Sequence, residues 1–481
     1  MKLVFVDYLV IILYFFIIFY IGFFLSQEKK GITKGEEDYL LAGRKLTLPL
    51  FVGTLVATWY GSILGIGEFV YRGGLVAWLC FCFPYYIVAA LFAYFIAGKI
   101  RKSNSSSIPE QIARKYGEKS ALTASGIVLI ITIPSSYILM LGVLLQMFTG
   151  WDLWLCILTG ALGSLVYLYK GGFKADVLTN SLQFVLMYLG FAALLAFSIM
   201  KFGFPGEALF SKPEMFPENH LKIFGGYSWQ IIAVWFVIAL QTFIDPSFYQ
   251  RCAAAKTPKI AQRGIFVSVL CWMIFDMMTI QTALYARAYF PINNPLMAYP
   301  VLSDAILPPL WKGIFVTALL ATVMSTLSSY AFLSGTTIGN DIIPNILIAG
   351  KKDKGSYVFK NRNKWNIETY SKIGLVVSSV IAVLMAIALP SAVDLIYKTS
   401  SVAVPGLLLP LLFTYSKKFK MKNAFIIMLL SSSCALIWTI LSIIAQDNHF
   451  FMSELFKKYE AMLVGLLISV VLSIFNIKKV A

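Results

Sequence analysis

The chain is poor in charge and in histidine. Of its 481 residues, 13% are charged and 59% are hydrophobic, whereas an ordinary soluble domain has about 25% charged and roughly 45–50% apolar residues. A disordered chain would combine low hydrophobicity with high charge. The two histidines, His220 and His449, lie in polar connections between apolar runs. These shortages exclude a soluble globular protein, a disordered protein and histidine-based chemistry inside a membrane.

Cysteine motifs and long polar segments are also missing. The six cysteines form no C-x-x-C pair, which argues against a disulfide framework and a zinc site. We expect packing roles for Cys80, Cys82, Cys156, Cys252, Cys271 and Cys434. No connection between apolar runs exceeds about 30 residues, so no soluble catalytic domain fits between them. The longest connection, 339–369, is rich in Lys and Asn, and we expect a solvated tether there.

What the chain has is apolar runs of the length that crosses a bilayer, about twenty residues each. There are thirteen, at approximately 4–26, 47–71, 75–98, 121–148, 152–169, 176–200, 228–245, 262–286, 313–338, 370–390, 393–415, 424–446 and 459–477. The first run is followed by Ser-Gln-Glu-Lys and not by a small-residue cleavage site, so we expect it to remain as a span. The sequence predicts an all-α membrane protein with about 13 transmembrane helices.

The formal net charge of +17 is distributed in short basic clusters between these runs, which indicates membrane topology and not a nucleic-acid surface. If the N-terminus lies outside, 29 of the 40 Lys and Arg residues fall on the inward side and nine on the outward side. The positive-inside rule therefore predicts a multi-pass protein of the cell membrane with its C-terminus in the cytoplasm.

The middle of span 2 contains residues that weaken a helix. It reads Thr58-Trp59-Tyr60-Gly61-Ser62, and an interruption there would free carbonyl oxygens to coordinate an ion. The alternative is close helix packing through small residues. Further along the span, Glu68 needs water, a proton or a cation at this depth.

Span 9 carries a stripe of small and hydroxylated side chains. Ala318, Thr322, Ser325 and Ser329 recur on one helical face. Their hydroxyls could supply part of the oxygen shell of a dehydrated monovalent cation. The alternative is that they bond back to carbonyls one turn earlier.

The junction of spans 5 and 6 contains Gly171-Gly172, which predicts a tight turn. After it, Thr179, Asn180 and Gln183 lie on one face of the incoming helix. They are candidates for gate groups, or they satisfy one another.

Several motifs in order resemble the sodium:solute symporter family, the sodium-coupled carriers of proline, pantothenate, choline, sialic acid and glucose. They are Asp38-Tyr39 with Gly43-Arg44, Ala57 to Gly61, Ile108-Pro109-Glu110 with Tyr116-Gly117, Gly171-Gly172 with Thr179 and Gln183, Asp245 with Gln250-Arg251 and Ala254-Ala255-Lys256, and Val323-Met324-Ser325-Thr326. The resemblance implies two inverted five-helix repeats of the leucine-transporter type, with one extra N-terminal and two extra C-terminal helices. It implies unwinding in span 7 as well, although that span has no obvious glycine break.

The resemblance also divides the chain. The expected parts are an extra span and cytoplasmic loop at 1–46, a first repeat of spans 2–6 at 47–200, an extracellular loop at 201–227, a second repeat of spans 7–11 at 228–415 and two peripheral spans at 416–481. The implied function is symport of sodium and a small organic solute into the cell by alternating access, in a protein that is not an enzyme and works as a monomer with no organic cofactor and no nucleic acid.

The sodium site that the family shares transfers to this sequence residue by residue. It implies the carbonyls of Ala57, Tyr60 and Thr322 and the hydroxyls of Ser325 and Thr326 as ligands. The family usually has aspartate where Asn180 stands, and since an amide supplies no charge, we expect one sodium ion per cycle.

The solute is less constrained, and an amino acid, a betaine-like or choline-like compound, and a carboxylate or sugar acid all remain open. Trp59 could hold a quaternary ammonium group or pack against a neighbouring helix. The other candidate substrate or gating residues are Glu68, Gln146, Asn180, Gln183, Gln241 and Asp276, and Asp394 with Lys398 could form an internal ion pair. A proton-coupled or uncoupled carrier using Glu68 or Asp276 is the alternative function, and a membrane-embedded sensor or enzyme is a second.

Overall fold

The computed structural model describes residues 2–25, 36–349, 366–389, 392–447, 455–456 and 459–479. In this part of the chain the first helices are α1 (Phe5–Tyr20), α2 (Glu36–Leu41), α3 (Leu48–Trp59), α4 (Ile63–Gly73), α5 (Phe83–Phe92), α6 (Gly98–Ser103), α7 (Ile108–Tyr116), α8 (Glu118–Thr132), α9 (Ser135–Thr149) and α10 (Leu153–Phe202). The remaining helices are α11 (Trp229–Ala239), α12 (Pro246–Ala254), α13 (Pro258–Tyr289), α14 (Ala298–Ile306), α15 (Trp311–Thr336), α16 (Ile343–Ala349), α17 (Ile367–Ala388), α18 (Ala392–Thr414), α19 (Ala424–Asp447) and α20 (Ala461–Asn476).

Short π and 3-10 turns extend or join several of these helices. The π turns are Ile21–Leu25, Trp78–Cys82, Ala93–Ala97, Gly206–Phe210 and Thr337–Ile342. The 3-10 turns are Ala42–Arg44, Pro213–Met215, Leu240–Ile244 and Pro295–Met297. Two short antiparallel strands, β1 (Phe419–Met421) and β2 (Ile477–Lys479), pair next to α19 and α20.

Within the described residues, nine helices are long and apolar enough to cross a membrane, and eleven spans result if each of two bent helix pairs is one span. Two shorter apolar helices, Leu153–Val166 and Ala461–Asn476, coincide with two more predicted runs. The all-helical membrane fold is confirmed, while the count of thirteen spans stays a prediction. The central helix is α15: it packs against α1, α3, α9, α10 and α17, which explains why almost all its residues are buried.

Spans 5 and 6, predicted at 152–169 and 176–200, are separate helices that meet where the sequence predicts a tight turn. The range given for α10 covers both of them, and the backbone between them is not helical at Gly172, where φ is 57°. A side chain there would also collide with Tyr39, since a Cβ atom would lie 2.7 Å from its ring. The predicted glycine turn is therefore present between the two helices, and Tyr39 of α2 packs against it.

Span 7 is interrupted without a glycine. A 3-10 turn follows α11, Asp245 is extended, and α12 begins at Pro246, so that the two parts are bent by 40°. Proline supplies no backbone donor for the preceding turn and is favoured at a helix start. The unwinding that only the resemblance implied is present, and Asp-Pro causes it.

A backbone bridge joins the two interrupted spans. The amide of Leu46, just before α3, donates to the carbonyl of Ala254 at 3.1 Å, and the amide of Lys256 donates back to the carbonyl of Leu46 at 3.0 Å. The beginning of α3 and the end of α12 are therefore held together.

The expected tether at 339–369 is wrong for its first part. The π turn Thr337–Ile342 and α16 continue the helical structure to Ala349, and Asn340 and Asp341 are buried. Their burial against neighbouring helices offsets the polar composition that suggested a solvated loop. Residues 350–365 lie outside the described part of the chain.

Candidate functional site

The interruption predicted in span 2 lies directly against α15. α3 and α4 are bent by 56° relative to each other. The hydroxyl of Ser325 donates to the carbonyl of Ala57 at 2.8 Å, and the hydroxyl of Thr326 donates to the carbonyl of Thr58 at 2.8 Å. All four residues are buried. The structure therefore brings backbone oxygens of the broken helix and two hydroxyls of α15 to one point.

The other predicted sodium ligands lie at the same interface. The carbonyl of Thr322 accepts a hydrogen bond from Ser325 at 2.9 Å and is 3.5 Å from the Thr326 hydroxyl. The carbonyl of Tyr60 accepts the first amide of α4 at 3.0 Å. Sequence reasoning missed the carbonyl of Thr58, which accepts a hydrogen bond from Thr326. Among the described residues, no hydroxyl donates to the carbonyl of Tyr60.

Close packing accompanies the break. A Cβ atom on Gly61 would lie 2.5 Å from the ring of Tyr137 and 2.7 Å from the Cβ of Thr326. Both interpretations of this segment, a helix interruption and close helix packing, therefore apply. Gly61 lies at the interruption, and its lack of a side chain also lets α9 and α15 approach.

The hydroxyl stripe on α15 divides into two kinds of contact. Thr322 bonds back to the carbonyl of Ala318 at 2.6 Å, as the alternative interpretation expected. Ser325 reaches across to α3, and Ser329 donates to the carboxylate of Asp176 at 2.8 Å. Thr322 is therefore bonded only within α15, whereas Ser325 and Ser329 contact other helices.

The polar face of α10 connects to other helices and not mainly to itself. The amide nitrogen of Asn180 lies within hydrogen-bond distance of three hydroxyls on α3 and α15, namely Thr54 at 3.2 Å, Thr58 at 3.3 Å and Ser329 at 3.0 Å, and it can donate to two of them at a time. Gln183 donates to the hydroxyl of Tyr14 on α1 at 2.9 Å. Thr179 bonds back within α10 at 2.9 Å. Asn180 therefore lies at the meeting point of α3, α10 and α15.

A buried ion pair occupies the same meeting point, and sequence reasoning missed it. Arg251 on α12 and Asp176 on α10 are 3.1 Å apart, and both side chains are fully buried. Arg251 was noted only as part of a family motif. The available signal was a single arginine in a segment otherwise made of small, aromatic and uncharged residues.

Trp59, at the end of α3, lies in an aromatic cluster. Its ring centroid is 5.1 Å from Tyr85, 5.7 Å from Phe248 and 5.1 Å from Trp272. These contacts match the packing interpretation of Trp59. The cluster places aromatic faces immediately beside the interrupted part of span 2.

Asp276 connects α13 to that interruption. Its carboxylate accepts hydrogen bonds from the hydroxyls of Tyr60, at 2.9 Å, and Tyr86. Both tyrosines and Asp276 are buried. Asp276 is therefore tied to the residue whose carbonyl is a predicted sodium ligand.

The remaining candidates are not brought to this site. Glu68 pairs with Arg72, one turn away, at 2.9 Å, so an internal cation already satisfies it. Gln146 lies in the last turn of α9, about 14 Å along the axis from Tyr137. Gln241 is partly buried in the 3-10 turn before the second break.

The proposed pair of Asp394 and Lys398 cannot be placed, because the Asp394 side chain lies outside the described part of the chain.

The oxygen-rich interface of α3 and α15 suits a hard monovalent cation. Carbonyl and hydroxyl oxygens replace the water shell of such an ion, and a broken helix frees the carbonyls that an intact helix would use internally.

Comparison with known proteins supports the family resemblance. A model of the sodium:solute symporter family matches residues 39–431. A sodium/glucose cotransporter of Vibrio parahaemolyticus is 26% identical over 461 residues, covering 88% of this chain and 83% of that protein. The high-affinity proline transporter PutP of Bacillus subtilis (strain 168) is 27% identical over 370 residues, covering 69% and 73%.

A solved structure supports the fold. The substrate-bound outward-open state of a Na+-coupled sialic acid symporter aligns with a TM-score of 0.73 and 17% identity over 100% of both chains. The likeness establishes a transporter fold of the leucine-transporter type.

Proposed function

Since the chain belongs to the sodium:solute symporter family and is a multi-pass, sodium-coupled transporter of a small solute, we propose that one sodium ion binds between α3 and α15 and drives inward solute movement. The observation that carries this proposal is the pair of 2.8 Å contacts from Ser325 and Thr326 to the carbonyls of Ala57 and Thr58. The proposed ligands are those two hydroxyls with the carbonyls of Ala57, Tyr60 and Thr322. We propose the inward direction because sodium enters the cell down its gradient, and we propose from the distribution of basic residues that the N-terminus lies outside.

Sodium couples to the solute through the interrupted helix. When the ion joins α3 to α15, the break is fixed in one geometry, and the aromatic cluster around Trp59 is completed as one wall of the solute site. Loss of the ion to the cytoplasm releases α3. This is a population shift produced by unequal sodium affinity for the two states.

One ion provides enough free energy for accumulation. Entry down a potential of ~100 mV releases about 2.3 kcal/mol, and a tenfold concentration gradient adds roughly 1.4 kcal/mol. The total of about 4 kcal/mol supports roughly thousandfold accumulation of a neutral solute.

We propose that the solute lies beside Trp59, Tyr85, Phe248 and Trp272, with Tyr60 and Asp276 bordering the site. Aromatic faces bind an apolar or ammonium group. The named relatives carry glucose, proline and sialic acid. An amino acid, a betaine-like compound and a sugar acid are the solutes to test first.

The test is the double variant Ser325→Ala/Thr326→Ala in proteoliposomes. A hydrogen bond or ligand contact to a charged group contributes roughly 1.5–3 kcal/mol, so the sodium concentration for half-maximal uptake should rise more than about tenfold. Thr317→Ala is the matched control, because Thr317 is buried on the same helix but bonds only to the carbonyl of Gly313 among the described residues. Unchanged sodium dependence in the double variant would contradict the site.

A proton-coupled carrier is the second candidate, and Asp276 favours it. This buried carboxylate has two tyrosine partners and no ion-pair partner among the described residues. Uptake that responds to pH and not to sodium, and that is abolished by Asp276→Asn, would support this function over the first.

A further inference from the structure

The ion pair of Arg251 and Asp176 has an unusual arrangement of partners. One terminal nitrogen of the guanidinium, Nη2, lies 3.1 Å from Asp176, and three hydroxyl oxygens surround it: Thr54 at 3.1 Å, Thr58 at 2.9 Å and Ser329 at 2.7 Å. An NH2 group has only two hydrogens. Four oxygens around one nitrogen therefore exceed what it can donate to at once.

This geometry differs from the usual use of arginine. Arg–carboxylate pairs are frequently bidentate, with two parallel hydrogen bonds. Here the other terminal nitrogen, Nη1, has a 3.4 Å contact to Gln250, and Nε has no hydrogen-bond partner among the described residues. The guanidinium thus presents one cationic tip to a cluster of oxygens, as a small bound cation would.

The oxygen cluster is continuous with the proposed sodium site. Thr58 connects the two, since its carbonyl accepts from the proposed sodium ligand Thr326 and its hydroxyl contacts Arg251. Ser328 makes a second connection, because its hydroxyl lies 2.8 Å from the Asp176 carboxylate and 3.1 Å from the carbonyl of Ser325. The two groups of ligands are therefore adjacent.

Charge balance explains why a cation is needed in the cluster. Asp176 is fully buried, and a buried carboxylate requires a compensating positive charge. We propose that Arg251 is a tethered cation filling a second cation position, formed by Asp176, Thr54, Thr58 and Ser329, and that it thereby restricts coupling to one sodium ion. This inference rests on the proposed sodium-coupled function and specifies its stoichiometry.

The experiment replaces Arg251 by a neutral residue of similar polarity, Arg251→Gln, while Asp176 stays. Sodium then takes the vacated position, so the Hill coefficient of sodium-activated uptake should rise from about 1 towards about 2. Arg251→Lys keeps a tethered charge and should retain first-order dependence. Arg251→Gln/Asp176→Asn removes the carboxylate that holds the second ion, and it should also remain first order.

Sodium binding to purified protein supplies a readout that does not depend on transport. In Arg251→Gln, but not in the double variant, sodium should raise the unfolding temperature more than it does in the wild type, with potassium as the replacement salt. If Arg251→Gln does not fold even in high sodium while the double variant folds, sodium does not take the arginine's place and the proposal is wrong.

Two outcomes separate this inference from the function on which it rests. Wild-type uptake that does not depend on sodium would overturn the proposed function itself. First-order dependence in folded Arg251→Gln would overturn only the role of Arg251. Sodium-dependent wild-type uptake with two ions per solute would overturn that role and the one-ion stoichiometry, but not sodium-coupled symport.

Discussion

The two interrupted spans are bent at comparable angles but are completed differently. At the first break, Ser62 precedes α4 without a side-chain cap, and carbonyls of α3 meet hydroxyls of α15. At the second, the carboxylate of Asp245 accepts the amide of Ser247 at 2.8 Å and a hydrogen bond from Tyr330 at 2.9 Å. The first break leaves oxygen atoms for a cation, whereas the second is closed by the protein's own carboxylate.

This difference predicts different roles for the two interrupted spans. A helix N-terminus is a natural site for an anion, but at α12 Asp245 already occupies it. A solute carboxylate would have to compete with that side chain. The proposed ion coupling therefore belongs to the first break, whereas the second break is an internally satisfied bend.

The largest expected effect comes from closing the space at the first break with Gly61→Ala. The added Cβ would lie within 2.7 Å of both Tyr137 and Thr326, so overpacking should cost about 1–3 kcal/mol of stability. Displacement of Thr326 should also raise the sodium requirement for uptake.

Gly126→Ala is its control, because nothing lies within 4 Å of the added atom on α8. Thermal unfolding and sodium-activated uptake should both be close to wild type or slightly improved in the control. Equal behaviour of the two variants would mean that the first break tolerates a side chain.

The second break should respond to loss of its cap and not to loss of charge alone. Asp245→Ala removes the side-chain acceptor for α12, which should destabilise the protein by about 1 kcal/mol or somewhat more. Asp245→Asn keeps an acceptor oxygen, and its unfolding temperature should fall less. The same loss in both variants would show that the charge, and not the cap, holds this bend.

The effect that is smallest at neutral pH, and appears only on acidification, is expected outside the membrane, where the first interrupted span is anchored. The carbonyl of His220 accepts the amide of Leu75, just beyond α4, at 2.9 Å. Burial, with a further contribution from Arg287, lowers the pKa of His220 to about 4. The unfolded chain binds a proton at higher pH, near the usual value of about 6.5, so stability should fall as pH decreases through this window.

The measurement is the unfolding temperature of wild type and His220→Gln between about pH 7 and pH 4.5. The variant should show a weaker decrease, and the difference between the two curves isolates His220 from other titrating groups. Parallel curves would contradict a buried neutral histidine.

Local composition indicated the first break, whereas its proposed ligands came from the family resemblance. Gly61 and Ser62 indicated the interruption, and the hydroxyls of Ser325 and Thr326 acquired a role once the family resemblance aligned them with Ala57. The fold followed from the same resemblance, because apolar periodicity alone does not specify how spans pack.

Other features depended on signals of a different kind. The second break was visible in the sequence as Asp245-Pro246, an N-cap residue followed by a proline that starts a helix. The expectation that a glycine would mark the break is why it was overlooked. The partner of Glu68 was visible as Arg72 at the i+4 position. The pair of Asp176 and Arg251 was not visible locally, because 75 residues separate its members and they meet only since α10 and α12 both pack against α3 and α15.

The backbone bridge at Leu46 gives the two interrupted spans a mechanical relation. Its two hydrogen bonds, each worth about 0.5–1.5 kcal/mol, link the start of α3 to the end of α12. A displacement of the start of α3 relative to the end of α12 would therefore have to break both hydrogen bonds, which favours movement of the two half-helices together. Since only backbone atoms take part, we expect side-chain substitutions within α3 or α12 to leave these two hydrogen bonds in place.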